Sequence, residues 1–565
     1  MSKNIYKELS EERKKLQEQD LVPQWYTTAG FQMFKEKYEW DTNGRSVRGQ
    51  FERIASTAAK HVPMLPEAEA KFFELLWKGW LSPSTPVLAN MGTTRGMPVS
   101  CSGTVVTDSI DGFYSNLHEV AMLTKNGFGT ASDFSSIRPR GSKISIGGKA
   151  SGVLPVIKEH VNAMRNVAQG TARRGAWACY LDIEHGDFHE VVEHISAEPD
   201  DLNIGWTIRQ SFIDRLDAGD QEAITRFQKA MKVKMVTGKG YFFFIDKANA
   251  KRPAMYKDLG LMINNSQLCS EIMLFNDEEH TYTCVLSSKN ASKYKEWKNT
   301  DAVYWATIFL DCVASEFIER AQGVPGLEKA VRFTIKGRAL GLGLCGIHTL
   351  FMQEGLPFEG FEAHRLSQEI QKHIDEESLR ASKDLAKLLG EPEWCKGYGL
   401  RNTHRIAIAP TKSTALLMGG ISEGINPDPA MSYTQMTAAG EVDRLNPVLL
   451  ELMKRKGVYT KKHIQEITDK QGSVQHVSWL TADEKELFKT AFEINQKAVL
   501  RLASARSMYI DQWQSLNLFF AADEDPAWIA EVHSEAFRDP NMLALYYIYT
   551  QAGVQAAKGE CEACQ

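Results

Sequence analysis

The sequence predicts an α/β protein in which a polar helical lead-in precedes a large mixed core. Three observations carry this reading. The first sixty or so residues hold the helix-period stretches WYTTAGFQMFKEKYEW and RSVRGQFERIAS on a charged background. The segment LSPSTPVLANMG then breaks that pattern with two prolines. Beyond it, short apolar runs alternate with longer amphipathic stretches, which favours an α/β core over an all-α or all-β one. At 565 residues the chain has room for several domains or one large elaborated one.

Composition narrows the function classes. With 43% apolar and 24% charged residues the chain reads as a globular enzyme. A net charge of −5 offers no polycationic surface for nucleic acid. No apolar run approaches the roughly 18 residues a membrane span needs, and the opening MSKNIYKELSEERKKLQEQD lacks the apolar core of a signal peptide. The location read from this is cytoplasmic. Nine cysteines, an odd number, are scattered from Cys101 to Cys564. That is not a secreted disulfide framework, so each is filler, ligand or reagent.

Two glycine-rich basic segments, 126–152 and 168–177, read as loops. Thr481 and Glu484 in TADEKELF form a capping-box signal that opens a helical stretch to about residue 507. The last sixteen residues, TQAGVQAAKGECEACQ, show no core-forming pattern and read as a flexible tail.

Several motifs are decoys. GLGLCG (341–346) spells a dinucleotide fingerprint, but the preceding KGRAL does not read as a parallel strand, so close backbone packing around a helix is expected. In HGDFHEVVEH, His189 and His194 stand five apart, which misses metalloprotease spacing, so His185, His189 and His194 read as structural. Cys179, Cys312, Cys345 and Cys395 are single thiols, read as packing.

Two stretches resist that treatment. In NNSQLCSEIMLF (264–275), side chains two apart on an extended segment share a face, which lines up Gln267, Cys269 and Glu271. At the C-terminus, Cys561 and Cys564 have redox-motif spacing, with no second CxxC or His pair to complete a zinc site. A mobile dithiol that exchanges with another disulfide fits them better.

In order, the chain shows FERIA, SPSTPVLANMG with SCS following, SSIRPRGS, ARRGA, QLCSEI, TCVLSS, GLGLCG, APTKSTA with ISEGINP, DQWQSLN, ALYY and the terminal CEAC. Over nearly its whole length it resembles the large, catalytic subunit of class I ribonucleotide reductase. The resemblance implies a ten-stranded α/β barrel of two parallel five-stranded halves, with a central finger loop carrying the radical cysteine. Cys269 would be the thiyl that abstracts the 3′-hydrogen of a ribonucleotide, and Glu271 the general base on the 3′-OH. Cys101 and Cys284 would supply two electrons and end as a disulfide. Cys561 and Cys564 would reduce that disulfide and be recharged by thioredoxin or glutaredoxin. Tyr546 and Tyr547 match a stacked pair that relays the radical from a ferritin-like, metal- or radical-bearing small subunit, so this chain itself needs no metal.

Substrate and effector residues follow by the same carry-over. Thr411, Lys412, Ser413 and Thr414 suit the diphosphate of a ribonucleoside diphosphate, and Thr85 matches a further contact. Asp108, Ser109, Ile110 and Arg138 fall where the family reads a dNTP or ATP effector, and Arg173 would relay effector identity to the substrate base. A homodimer is expected, since the family's specificity site lies at a dimer interface. One departure concerns Gln267, where the family usually has asparagine; its amide sits one methylene farther out, and Asn265 shares its parity. The expected organisation is a helical segment over 1–60 without the family's activity-switching ATP domain, a barrel over 61–549 and a redox tail over 550–565. The adenosylcobalamin-dependent class shares the barrel, the thiyl cysteine and the dithiol, but gives no reason for the tyrosine pair. The glycyl-radical class needs a motif that Gly553 in QAGVQ does not resemble. A non-catalytic nucleotide sensor needs none of the five cysteines or Glu271.

Overall fold

In the computed structural model, which describes residues 2–40, 46–169, 173–174, 176–437 and 440–551, the lead-in is helical as its periodicity predicts. Helix α1 spans Ser2–Glu18, and α2 (Thr28–Met33) runs on into a π-helical turn at Phe34–Tyr38. Helix α3 (Val47–Ala59) starts at Ser46, whose Oγ accepts from the Gly49 amide at 3.0 Å. Its buried face of Phe51, Ile54 and Ala55 packs on α4 (Ala68–Trp77).

The strands are β1 (Leu81–Pro83), β2 (Cys101–Val105), β3 (Gly129–Asp133), β4 (Trp177–Asp182), β5 (Ile204–Ile208), β6 (Tyr241–Phe244), β7 (Tyr282–Asn290), β8 (Leu340–Cys345) and β9 (Ala544–Leu545). Strands β2, β3, β4, β5 and β6 pair in that order, all parallel. Being covered on both faces, they do not alternate: YFFF is a continuous apolar run, and the small residues GTASD are buried throughout. A second half runs the other way. Strand β7 pairs antiparallel with β2 and parallel with β8. Leu340 and Leu342 of β8 donate to the carbonyls of His404 and Arg405 at 2.9 and 2.8 Å, and Ile408 bridges Gln514 in the parallel sense. The chain continues through Leu518–Phe520, parallel to Ile548–Thr550. Strand β9 then closes the ring antiparallel to β6. The result is two five-stranded halves joined at two antiparallel seams, the predicted ten-stranded barrel, although several segments of the second half are irregular extended backbone.

Three local expectations are corrected. Residues 129–133 of the glycine-rich segment form the central strand β3, because small side chains (GTASD) fit a strand buried on both faces. GLGLCG belongs to strand β8, and its close packing is against β7: a Cβ on Gly341 would stand 2.3 Å from Leu286 Cδ2 and 2.9 Å from Cys284 Sγ. The stretch after Thr481 is two helices, Ala482–Leu487 and Gln496–Arg506. The capping box is present, but Glu493 accepts from the Thr490 amide at 2.8 Å and Asn495 caps the second helix, which offers the backbone an alternative to continuing.

Behind β8 lies a buried ion pair. The Arg338 guanidinium meets both Asp311 carboxylate oxygens, at 2.8 and 2.9 Å, and Asn402 donates to the same carboxylate at 2.9 Å. Removing one partner leaves a buried charge, which costs about 3–5 kcal/mol. Asp311→Ala is therefore expected to lower the thermal unfolding midpoint well below that of Asp311→Asn, as read by calorimetry.

Candidate active site

Residues 261–277 enter the barrel with no regular secondary structure, and 265–276 are buried throughout. Buried irregular backbone requires partners, and this loop has them. Asn276 Nδ2 donates to Asn265 Oδ1 at 2.6 Å, and Ser266 Oγ donates to the Ile272 carbonyl at 2.7 Å, pinning the two arms together. The Trp513 amide donates to the Glu271 carbonyl at 2.9 Å, and Gln512 Oε1 accepts from the Met273 amide at 3.2 Å. From the opposite wall Tyr180 OH donates to the Gln267 carbonyl at 2.7 Å. Gly205 sits beside Tyr180 in register, and a Cβ there would stand 2.4 Å from the Tyr180 ring, so glycine makes room for it.

Cys269 is at the tip and fully buried, followed by Ser270 in the left-handed region at φ 68°. The extended-segment parity predicted for this loop is thus broken at Ser270. Cys269 and Glu271 are nonetheless joined, because Ser515 Oγ lies 2.8 Å from both the Cys269 carbonyl and Glu271 Oε2. Burial pushes the Glu271 carboxyl up to about 7, against the opposing pull of Ser515 and the nearby Gln267 amide. Gln267 Oε1 accepts from the Cys269 amide, while its buried Nε2 makes no well-formed hydrogen bond. Asn265 is committed to Asn276, which leaves Gln267 as the amide available at the tip.

Cys101 of β2 and Cys284 of β7 are direct cross-strand partners, and neither is in a disulfide. Opposed residues on antiparallel strands have Cα atoms about 4.5–5.5 Å apart, inside the roughly 4.4–6.8 Å a disulfide spans. Burial raises the Cys284 pKa, Gln512 Nε2 donates to its Sγ at 3.6 Å, and the Glu271 charge is close enough to raise it further.

Tyr546 follows β9, and its OH donates to Cys269 Sγ at 3.4 Å. The Tyr546 and Tyr547 rings lie 4.2 Å apart, centroid to centroid. Tyr241 contacts both rings, its OH 3.2 Å from that of Tyr547, and half-buried Tyr549 continues the line at 5.7 Å from Tyr547. Buried Lys234 donates to the Tyr546 carbonyl and, at 3.2 Å, to that of Gly240.

Thr411, in the left-handed region at φ 52°, precedes the helix Lys412–Leu417. With Thr414 it lines a cavity that also takes in Ser82, Ser84, Ser100 and Ser287. Ser413 is buried, Lys412 is exposed, and Thr85 Oγ1 lies 3.0 Å from Tyr38 OH at the start of α5 (Thr85–Asn90). Elsewhere, Ser109 caps α6 (Ile110–Lys125), Ile110 is 70% exposed, and Arg138 pairs with Asp108 at 2.6 Å. Four effector candidates therefore share one place, with Arg138 holding Asp108. The Arg173–Arg174 strand pairs with Ala168–Gln169, which packs on α6; the Arg173 side chain, Cys561 and Cys564 lie outside the described residues. His185, His189 and His194 each have separate partners, as structural histidines do.

Sequence reasoning missed Ser515, Gln512, Tyr180, Tyr241, Tyr549 and the serines beside Thr411. Gln512 and Ser515 lie in DQWQSLN, and Ser82, Ser84, Ser100 and Ser287 in SPSTPVLANMG, SCS and TCVLSS, whereas Tyr180, Tyr241 and Tyr549 lie in no motif of the series.

A closed barrel with a buried thiol on a central loop, a facing pair of thiols and a phenol against the first thiol defines a thiol-based redox enzyme. The description "Ribonucleotide reductase, barrel domain" matches residues 99–225, 220–397 and 392–547, and "Ribonucleotide reductase, all-alpha domain" matches 24–96. The chain belongs to the ribonucleotide reductase family. It is 32% identical over 541 residues to a protein of Frog virus 3 (isolate Goorha) named as a ribonucleoside-diphosphate reductase large subunit, covering 90% of this chain and 94% of the relative. The Caenorhabditis elegans ribonucleoside-diphosphate reductase large subunit is 27% identical over 615 residues, covering 94% and 77%. Among solved structures, the Actinobacillus ureae class Id ribonucleotide reductase alpha subunit matches with a TM-score of 0.87 at 34% identity, covering 95% of this chain and 99% of that one. No helix among the described residues is long and apolar enough to cross a membrane.

Proposed function

We propose that this chain is the catalytic subunit of a class I ribonucleoside-diphosphate reductase, which makes 2′-deoxyribonucleotides for DNA synthesis in the cytoplasm. The observation that carries the reading is the Tyr546 phenol on the Cys269 thiol, inside the barrel that also holds the Cys101–Cys284 pair. Cys269 becomes a thiyl when Tyr546 and Tyr547 pass its electron and proton toward a ferritin-like partner subunit. The thiyl takes the substrate 3′-hydrogen, and Glu271 takes the 3′-OH proton. The 2′-OH leaves as water, Cys101 and Cys284 give up two electrons and two protons to become a disulfide, Glu271 returns its proton to the 3′-oxygen, and Cys269 returns the 3′-hydrogen and is a thiyl again. Cys561 and Cys564 then reduce that disulfide by exchange, with thioredoxin or glutaredoxin restoring them.

Thr411, Lys412, Ser413, Thr414 and Thr85 hold the substrate diphosphate and sugar, and Gln267 Nε2 donates to a substrate oxygen. Asp108, Ser109, Ile110 and Arg138 read a dNTP or ATP effector, with Arg173 on the relay, in a homodimer. The barrel reaches to about residue 549 and the redox tail follows it.

CDP reduction by the purified chain with dithiothreitol and a dNTP or ATP effector tests this. Turnover is expected on adding a ferritin-like small subunit and not on adding adenosylcobalamin. Turnover with adenosylcobalamin alone overturns the class I assignment.

The carboxyl value fixes a pH dependence. A base must be ionised to accept a proton, so kcat/KM should rise with pH and level off above about 7. The stability sign runs opposite: a folded value raised from about 4.3 in the unfolded chain stabilises the acid form, and that contribution is lost as pH rises through about 7.

A further inference from the structure

We propose that Ser515 is a positioning residue whose single hydroxyl proton moves between the Cys269 carbonyl and the Glu271 carboxylate each time Glu271 changes its protonation state. The proposal rests on the roles given above to Cys269 and Glu271.

The argument is a count of protons. Ser515 Oγ lies 2.8 Å from the Cys269 carbonyl oxygen and 2.8 Å from Glu271 Oε2. A carbonyl only accepts, a carboxylate only accepts, and a serine hydroxyl has one proton to donate. Both contacts are hydrogen bonds only when Glu271 is the neutral acid. In that state the acid O–H donates to Ser515 Oγ, and Ser515 donates onward to the Cys269 carbonyl. Once Glu271 is ionised, Ser515 faces two acceptors. The charge-assisted bond to the carboxylate is the stronger, so the proton turns to Glu271 and the Cys269 carbonyl loses the Ser515 donor.

The surroundings keep this choice from being blurred. Ser515 is 1% exposed. Its amide donates to the Ile408 carbonyl at 2.8 Å and its carbonyl accepts from Asn426 Nδ2 at 3.3 Å, so the residue is fixed while its hydroxyl can still rotate. The titratable groups packed near Glu271 are Cys269 on the same loop, Tyr180 from β4, and Tyr282 and Cys284 from β7. Burial raises Tyr180, Tyr282 and Cys284, which keeps them neutral when Glu271 titrates. Cys101 of β2 reaches Tyr282, and Tyr546 reaches Cys269. None of these brings a fixed charge to compete for the Ser515 proton. The backbone that loses the Ser515 donor belongs to the tip residue, one position before Ser270 at φ 68°. Ionisation of the base is thereby felt at the backbone that aims the radical thiol.

The test reads Glu271 directly and apart from turnover. Infrared titration of the carboxylic C=O band is carried out on the full chain, with Glu271→Gln identifying the band. In Ser515→Ala the carboxylate loses a donor, and its acidity should fall about tenfold. Ser515→Cys, a weaker donor of similar shape, should move it the same way, and Ser515→Thr should restore it. With the small subunit added, the acid limb of kcat/KM should follow the infrared value through the series. An unmoved band in Ser515→Ala and Ser515→Cys overturns the proposal. Full activity in Glu271→Gln overturns the catalytic reading instead, because the band position does not depend on turnover.

Discussion

Cys269→Ala is expected to abolish ribonucleotide reduction while leaving the protein folded and able to bind nucleotide. The loss should reach at least about four orders of magnitude, as when a reacting group is removed outright, because neither neighbouring thiol can take its place. Cys101 and Cys284 face each other across β2 and β7, whereas the phenol that would deliver the radical hydrogen-bonds to Cys269. Stability should change little. The tip is held by Ser515 on the Cys269 carbonyl, Tyr180 on the Gln267 carbonyl and Trp513 on the Glu271 carbonyl, and all of these bonds are to backbone. Alanine keeps them and leaves a cavity of one sulfur, a cost of about 1–2 kcal/mol. The check is CDP turnover with partner and reductant beside the thermal midpoint of the same variant. A residual rate within tenfold of wild type would remove Cys269 from the chemistry.

How much of this could be read in the sequence depended on the kind of signal. Candidate site residues whose proposed roles rest on their own side chains were legible. Cys269, Glu271, Cys101, Cys284 and the tyrosine pair all lie in short strings whose order along the chain is diagnostic, and the fold joins them in one barrel. Residues defined by what they meet across the barrel were not legible. Ser515 stands 246 positions from Cys269, and no local pattern distinguishes its hydroxyl from that of any other buried serine. The second half of the barrel was legible as a class and opaque in detail. Its segments at 404–409 and 512–515 hydrogen-bond irregularly and carry charged or polar residues such as Arg405 and Gln512, so strand periodicity never develops. The helix drawn through to residue 507 failed for a related reason: Thr490, Glu493 and Asn495 have good helix neighbours and yet bond their own backbone.

Tyr547→Phe should reduce turnover with the ferritin-like partner as completely as Tyr546→Phe, although it is Tyr546 whose phenol hydrogen-bonds the proposed radical thiol. A relay is a series connection, so losing an outer member stops it as surely as losing the inner one. Phenylalanine fills nearly the same volume and keeps the ring contact at 4.2 Å, but it has no phenolic proton to exchange with an electron. The two variants should differ in folding cost. Tyr547 loses its 3.2 Å contact with Tyr241, a neutral hydrogen bond of about 1 kcal/mol, whereas Tyr546 loses its weaker contact to sulfur. Each variant should keep normal affinity for substrate and effector, since neither ring touches the cavity at Thr411 and Thr414. Activity assayed with the partner subunit, together with equilibrium binding of CDP and a dNTP, separates the outcomes. Loss of turnover with binding intact supports the relay. If Tyr547→Phe stays active while Tyr546→Phe is dead, the path to Cys269 does not pass through Tyr547, and Tyr241, 4.9 Å from Tyr546, becomes the ring to test next.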